Sequence, residues 1–251
     1  MATKRYFFII FIFASYNYTG DFMEIRIKRS TVLTVLYLLL VCLGTARVYF
    51  YENTAVAALP VHNRMIVIDA GHGGFDPGKV ASDGVEEKEI NLAIAKQLSG
   101  YLTQGGAQVV ETRISDEALS QSKRDDLNKR VKIANAGNVD LFVSIHQNSF
   151  PKGSAKGAQV FYYKGSENGK RLALSIQNRL REVVDVQNTR VPKENTNYYV
   201  LKEAKIPSVI VECGFLSNLD EHDKLLSEEY RQKIAWAIYM GILDYYGETT
   251  L

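Results

Sequence analysis

Three short runs in this chain are apolar and β-branched almost throughout, and each delivers a polar side chain at its end. Residues 64–69 (RMIVID) lead into the glycine-rich turn that carries His72, residues 141–145 (LFVSI) end at His146, and residues 208–212 (SVIVE) end at Glu212. Such runs suit strands buried on both faces, as in the parallel sheets of α/β proteins. The segments between them change period. Ile90, Ile94, Leu98 and Leu102 recur every four residues from Lys88 until Gly105-Gly106 ends the pattern. Leu127, Val131 and Ala134 mark a second helix, and Leu172, Ile176, Leu180 and Val183 a third. Ile234, Ile238 and Ile242 mark a fourth, from about Glu228 to Tyr246. Further strands are expected at Gln108–Thr112, at Ala158–Tyr163 as a candidate edge, and at Tyr198–Leu201. The pattern predicts a single α/β domain: a mostly parallel or mixed central sheet with helices on both faces.

Ahead of that domain lies a different kind of segment. Thr31–Ala46 is 16 residues without a charge, preceded by Arg26, Lys28 and Arg29. A basic stretch followed by an apolar one reads as a signal peptide or membrane anchor, and 16 residues sit at the border between the two. Residues 1–46 are therefore read as a targeting segment, 47–63 as a linker and 64–247 as the folded domain. Basic residues on the N-terminal side place the remainder outside the cytoplasm, membrane-anchored or secreted. Small residues at Gly44, Ala46, Ala55 and Ala57 offer cleavage sites. A shorter apolar run, Tyr6–Ala14, lies upstream, and Met23 stands directly before the signal-like sequence, so translation is expected to start at Met23. A precursor whose N-terminal sequence begins earlier overturns that expectation.

Composition narrows the class. With 46% hydrophobic and 23% charged residues and only 2 Cys, the chain is neither disordered nor a disulfide scaffold. Cys42 lies in the apolar run, where Val41 fits a lipid-attachment site poorly. Cys213 is the only cysteine of the expected exported part, so no internal disulfide forms there. The net charge of +2 resides in the leader, whose five basic residues face only Asp21 and Glu24. The folded part is close to neutral, which argues against a nucleic-acid partner.

In open α/β sheets ligands gather beyond the carboxyl ends of the strands. His72, His146 and Glu212 all stand there, and buried polar groups need partners. Two His and a carboxylate suit a catalytic zinc site, with a further carboxylate as general base. The bland alternative is that each His is a satisfied structural residue. Only four His exist; His62 falls in the linker and His222 in an acidic turn (LDEHDK), where a solvated role is expected.

Four segments sharpen this reading: IDAGHGGFDPG (68–78), GVEEKEINLAIA (84–95), SIHQNS (144–149) and VECGFLSN (211–218). In that order they resemble the motifs of the zinc-dependent N-acetylmuramoyl-L-alanine amidases, and TRISD (112–116) and LNKRVKIAN (127–135) match as well. The resemblance covers roughly 64–246. It implies Zn2+ held by His72, Glu87 and His146, with Glu212 as the catalytic acid and base. Glu86 and Glu89 flank the carboxylate ligand. Cys213 stands where many members have Val, and Glu89 where many have Asp; both changes are read as neutral. Zinc would activate water and polarise the amide between the lactyl group of muramic acid and L-alanine. Glu212 would take the water's proton and pass it to the leaving amine. Asp69 and Asn148 are candidates for orienting the His rings. No substrate-binding residue is assigned.

Within the family the chain most resembles the spore-cortex, germination-specific members. The N-terminal apolar segment, KRDDLNKR (123–130) and GAQVFYY (157–163) carry that likeness. It implies a peptidoglycan substrate in the cortex during sporulation, stripping of peptide on the way to muramic-δ-lactam, a place on the cortex side of the forespore membrane, and a lipoprotein partner as in some relatives. The alternatives are a vegetative autolysin or cell-separation amidase, a non-catalytic wall-binding protein of the same fold, and a zinc peptidase acting within the stem peptide.

Overall fold

The computed structural model describes residues 15–19, 22–26, 28–57 and 59–247, which divide into two compact units, one up to Ala55 and one from Val56. In the first, β1 (Ser15–Thr19) and β2 (Phe22–Arg26) pair antiparallel, and α1 (Arg29–Ala57) follows. Arg29–Arg47 of this helix has a mean hydropathy of 1.7 over 19 residues, long and apolar enough to cross a membrane as signal or as anchor. The helix runs on to Ala57, through most of the segment expected to be linker. The upstream run Tyr6–Ala14 lies outside the described residues. Met23, the expected start, stands in β2.

The second unit is built on six strands. β3 (Met65–Ala70), β4 (Gln108–Glu111), β5 (Leu141–Asn148) and β8 (Ser208–Phe215) run parallel. β6 (Gln159–Tyr163) joins β8 antiparallel, and β7 (Lys193–Asn195) lies parallel to β6. The order is β4-β3-β5-β8-β6-β7, so the sheet is mixed, as the alternation of periods predicts. β6 is not the edge: the short β7 covers it. Helices cover the sheet on both faces.

Neighbouring side chains of a strand point to opposite faces, which sorts the core into two. Ile66 and Ile68 of β3, Val143 and Ile145 of β5 and Val209 and Val211 of β8 pack in one core. It is closed by α2 (Glu87–Gln104), α4 (Glu167–Arg179) and α7 (Glu228–Gly247) through Leu98, Ile176 and Ile238. Val67, Phe142, Phe161 and Ile210 face the other way, onto α3 (Lys123–Ala134) and α5 (Tyr199–Glu203). By the same alternation His146 and Glu212 belong to the α3/α5 face. They are directly opposite each other in the β5–β8 register.

One element differs in kind from expectation. Tyr198–Leu201, expected as a strand, leads into and begins α5. Asn195 Oδ1 accepts the backbone N–H groups of Asn197 and Tyr198, at 2.6 and 2.9 Å. This side-chain turn ends β7 and reverses the chain, overriding the β-propensity of Tyr-Tyr-Val. Val200 and Leu201 then meet the second core as adjacent helical residues. A helix that was not expected, α6 (Leu219–Leu226), follows β8, capped by Asn218 Oδ1 accepting from the Glu221 N–H at 3.1 Å.

Candidate active site

β3 ends at Ala70, and the next residues turn sharply. His72 adopts φ 62°, left-handed and rare for a side-chain-bearing residue, followed by Gly73 and Gly74, also at positive φ. Two buried arginines hold this turn by its carbonyls. Arg113 donates to the carbonyls of Ala70, Gly71 and Lys88, and Arg130 to those of Ala70 and His72. Lys88 Nζ adds a bond to the Gly74 carbonyl at 2.9 Å and one to Asp116 at 2.8 Å. Gly71 is required for another reason: a Cβ there would fall on the His146 ring.

Glu87 opens α2, where the helix dipole favours an anion. Its Oε1 lies 3.0 Å from His146 Nδ1 and 3.3 Å from His72 Nε2. It also accepts from Asn91 Nδ2 and the Gln147 N–H, while Oε2 accepts from the Lys79 N–H. Burial pushes the carboxyl up, yet the hydrogen bond from His146 and the neighbouring His72 ring outweigh it and hold Glu87 well below the usual carboxylate range. The structure thus brings together three of the four residues expected at the site: one donor atom each of His72, Glu87 and His146 lies within 4.8 Å of the others. The two His rings meet edge to face, their centroids 4.9 Å apart.

The donor chemistry fits a divalent cation. His72 Nδ1 lies 2.9 Å from Asp76 Oδ2, which places the ring proton on Nδ1 and leaves the Nε2 lone pair facing the Glu87 carboxylate. A lone pair set against an anionic oxygen calls for a positive charge between them. Two imidazoles and one carboxylate form a donor set that zinc accepts, with room for a further ligand.

Glu212 stands apart from this cluster. It is 8% exposed; its Oε1 accepts from the Tyr198 hydroxyl at 3.3 Å, and its buried Oε2 has no hydrogen-bond partner among the described residues. Burial pushes its carboxyl up to about 7 against the pull of His146, with Glu87 adding to the rise. His72, His146, Glu212, Asp76, Lys123 and Tyr198 line a cavity of about 230 Å³ on the α3/α5 face.

Three expectations need correction. Asp69 does not touch the His rings: it accepts from Arg130, Thr112 and Ser144. Asn148 Oδ1 accepts from the next residue's N–H. The ring partners are Asp76 and Glu87. His222 is not solvated either: it lies on α6 with Nε2 3.2 Å from Asp83 and Nδ1 3.1 Å from Asp223. The sequence reading also passed over Asp76, Arg113, Arg130 and Tyr198. A signal existed for Asp76, four residues after His72 across Gly73, Gly74 and Phe75. The arginines lay inside two matching motifs without an assigned role.

Residues 66–244 match the family described as N-acetylmuramoyl-L-alanine amidase. The germination-specific N-acetylmuramoyl-L-alanine amidase of Bacillus subtilis is 37% identical over 199 residues, covering 76% of this chain and 83% of that one. A second Bacillus subtilis relative, the uncharacterized protein YqiI, is 41% identical and covers 77% of this chain and 90% of its own. The structure of the CwlD amidase from Clostridioides difficile, in complex with the GerS lipoprotein, superposes with a TM-score of 0.71. It is 42% identical and covers 74% of this chain and 100% of that one.

Proposed function

The chain belongs to the N-acetylmuramoyl-L-alanine amidase family, and from that premise we propose a zinc-dependent hydrolysis carried by His72, Glu87, His146 and Glu212. As a family member it is an amidase that cleaves the amide joining the muramic acid lactyl group to L-alanine in peptidoglycan. The observation that carries the site assignment is the meeting of two imidazoles and a carboxylate within 4.8 Å, beside a cavity also lined by a buried, half-partnered carboxylate.

His72, Glu87 and His146 would hold the ion, which when bound supplies Lewis-acid polarisation of the amide carbonyl and acidifies water. Asp76 keeps the His72 ring in one tautomer and orientation. Glu212 is the general base: it takes a proton from the attacking water, and the same oxygen returns it to the departing amine of L-alanine. Its burial favours this role, because a carboxyl pushed up to about 7 takes a proton more readily than an ordinary carboxylate. The glycine-rich turn lets backbone approach the reacting atoms closely.

The cortex role rests on the germination-specific relative, and the apolar helix Arg29–Arg47 supports a place outside the cytoplasm, anchored or secreted. The complex formed by the CwlD amidase supports a lipoprotein partner here too.

The decisive experiment compares Glu212→Gln with the wild type on purified sacculi, with zinc measured in both. Peptide release should vanish while zinc remains. Wild-type turnover in the variant, or full activity in a metal-free preparation, removes the proposal. For the biological role, a strain lacking the enzyme should make cortex without muramic-δ-lactam. Normal cortex with chained cells would assign it to vegetative cell separation.

A further inference from the structure

The Tyr198 hydroxyl donates to Glu212 Oε1 at 3.3 Å, and the other carboxylate oxygen, Oε2, is buried without a partner among the described residues. A free carboxylate offers two equivalent oxygens and can rotate; this one is engaged on one side only. The donor is itself fixed from three directions. Asn195 Oδ1 accepts the Tyr198 N–H at 2.9 Å, the residue is the N-cap of α5, and its ring packs edge to face on Phe161 of β6 at 5.5 Å. Burial first, and then the neighbouring Glu212, hold the phenol above its ordinary range, so it stays protonated and acts as a donor. Both residues line the same cavity.

We infer that Tyr198 is a positioning residue of the hydrolysis: its hydroxyl holds Glu212 through Oε1 and fixes the carboxyl in the cavity that both residues line. The inference rests on the general-base role of Glu212. It gives a purpose to the short β7 and the turn at Asn195, which place a phenol beside Glu212, 14 residues further along the chain. Tyr198 forms no bond to substrate and transfers no proton in this scheme; it sets the orientation of the carboxyl.

The test is Tyr198→Phe beside Glu212→Gln in the full-length enzyme, with kcat, KM, zinc content and thermal midpoint measured for Tyr198→Phe and peptide release and zinc content for Glu212→Gln. Tyr198→Phe keeps the ring against Phe161 and loses only the hydroxyl. The expected result is a fall of about 10-fold in kcat with KM, zinc content and thermal midpoint unchanged. Wild-type kcat in Tyr198→Phe beside an inactive Glu212→Gln overturns the positioning role alone. A Tyr198→Phe loss confined to KM, or matched by a loss of zinc or of thermal midpoint, overturns it as well. An active Glu212→Gln overturns the general-base assignment and this inference with it.

Discussion

At the scale of single residues, the proposed active side chains depend on polar neighbours. Asp76 holds the outer nitrogen of His72. Asp76→Asn keeps the shape but weakens the acceptor, so zinc affinity should drop 10- to 100-fold, the usual effect of losing such a partner; competition with a chelator measures it. Asp69 works differently. It accepts from Arg130, Ser144 and Thr112 in a fully buried position; burial raises its carboxyl, but the arginine and the two hydroxyls prevail and lower it below 3.8. A folded-state value below the unfolded one stabilises the fold fully at pH above 3.8, and that contribution fades as pH falls through the lower value. Asp69→Asn leaves a buried guanidinium partly uncompensated and should cost about 3 kcal/mol at pH 7. Urea titrations should show that gap narrowing below pH 3.8. A constant gap would mean that packing, not charge, accounts for the loss. His72, His146 and Glu212 were legible in the sequence because each ends an apolar run that has no other reason to stop on a costly group. Asp76 and Tyr198 were not: their roles follow from hydrogen bonds that no hydropathy period encodes.

At the scale of elements, periodicity found the helices that bury one stripe and missed the short ones that follow side-chain turns or caps. α2 and α7 repeat isoleucine and leucine every three or four residues, so their cores could be read directly. α5 and α6 are short: a side-chain turn at Asn195 precedes the first and Asn218 caps the second, and the apolar pattern reports neither. β7 is three residues long and mostly exposed, too brief to show alternation. The packing of α7 on α4 supplies an element-scale prediction. A Cβ at Gly241 would press on the backbone of Ile176, with Cα 2.5 Å away. Gly to Ala normally gains about 1 kcal/mol inside a helix. Here the helices must separate, and overpacking costs roughly 1–3 kcal/mol with little chance for a backbone atom to yield. Gly241→Ala should therefore lower the unfolding free energy despite the better helix former, while zinc binding at the far side of the sheet is retained. A rise in the denaturation midpoint would show that the α4–α7 interface is looser than its geometry.

At the scale of the whole molecule, the sheet's parallel part was legible because buried strands without polar alternation have few other places to go. The strand order and the antiparallel entry of β6 were not, since both depend on which loops can bridge the distance. The position of the catalytic unit's start bears on the same question. Val61 is fully buried and packs in the larger core, and the Asn63 N–H donates to the Gly106 carbonyl at 3.0 Å, tying the segment before β3 to the turn after α2. The fold therefore extends ahead of residue 64, where the apolar strand pattern begins. A chain starting at residue 59 should unfold cooperatively with the midpoint of the full-length protein and cleave soluble muropeptides at the same rate. One starting at residue 65 loses the Val61 side chain, worth about 1.5–3 kcal/mol of burial, and two backbone bonds, from Asn63 to Gly106 and from Gln108 to Arg64, worth about 1 kcal/mol each. Its midpoint should drop accordingly. Its zinc site should survive at low temperature, because His72, Glu87 and His146 are held by Arg113, Arg130 and the start of α2 rather than by residues 59–64. Equal midpoints for the two chains would show that Val61 covers the core without stabilising it, and the catalytic unit would then begin at β3.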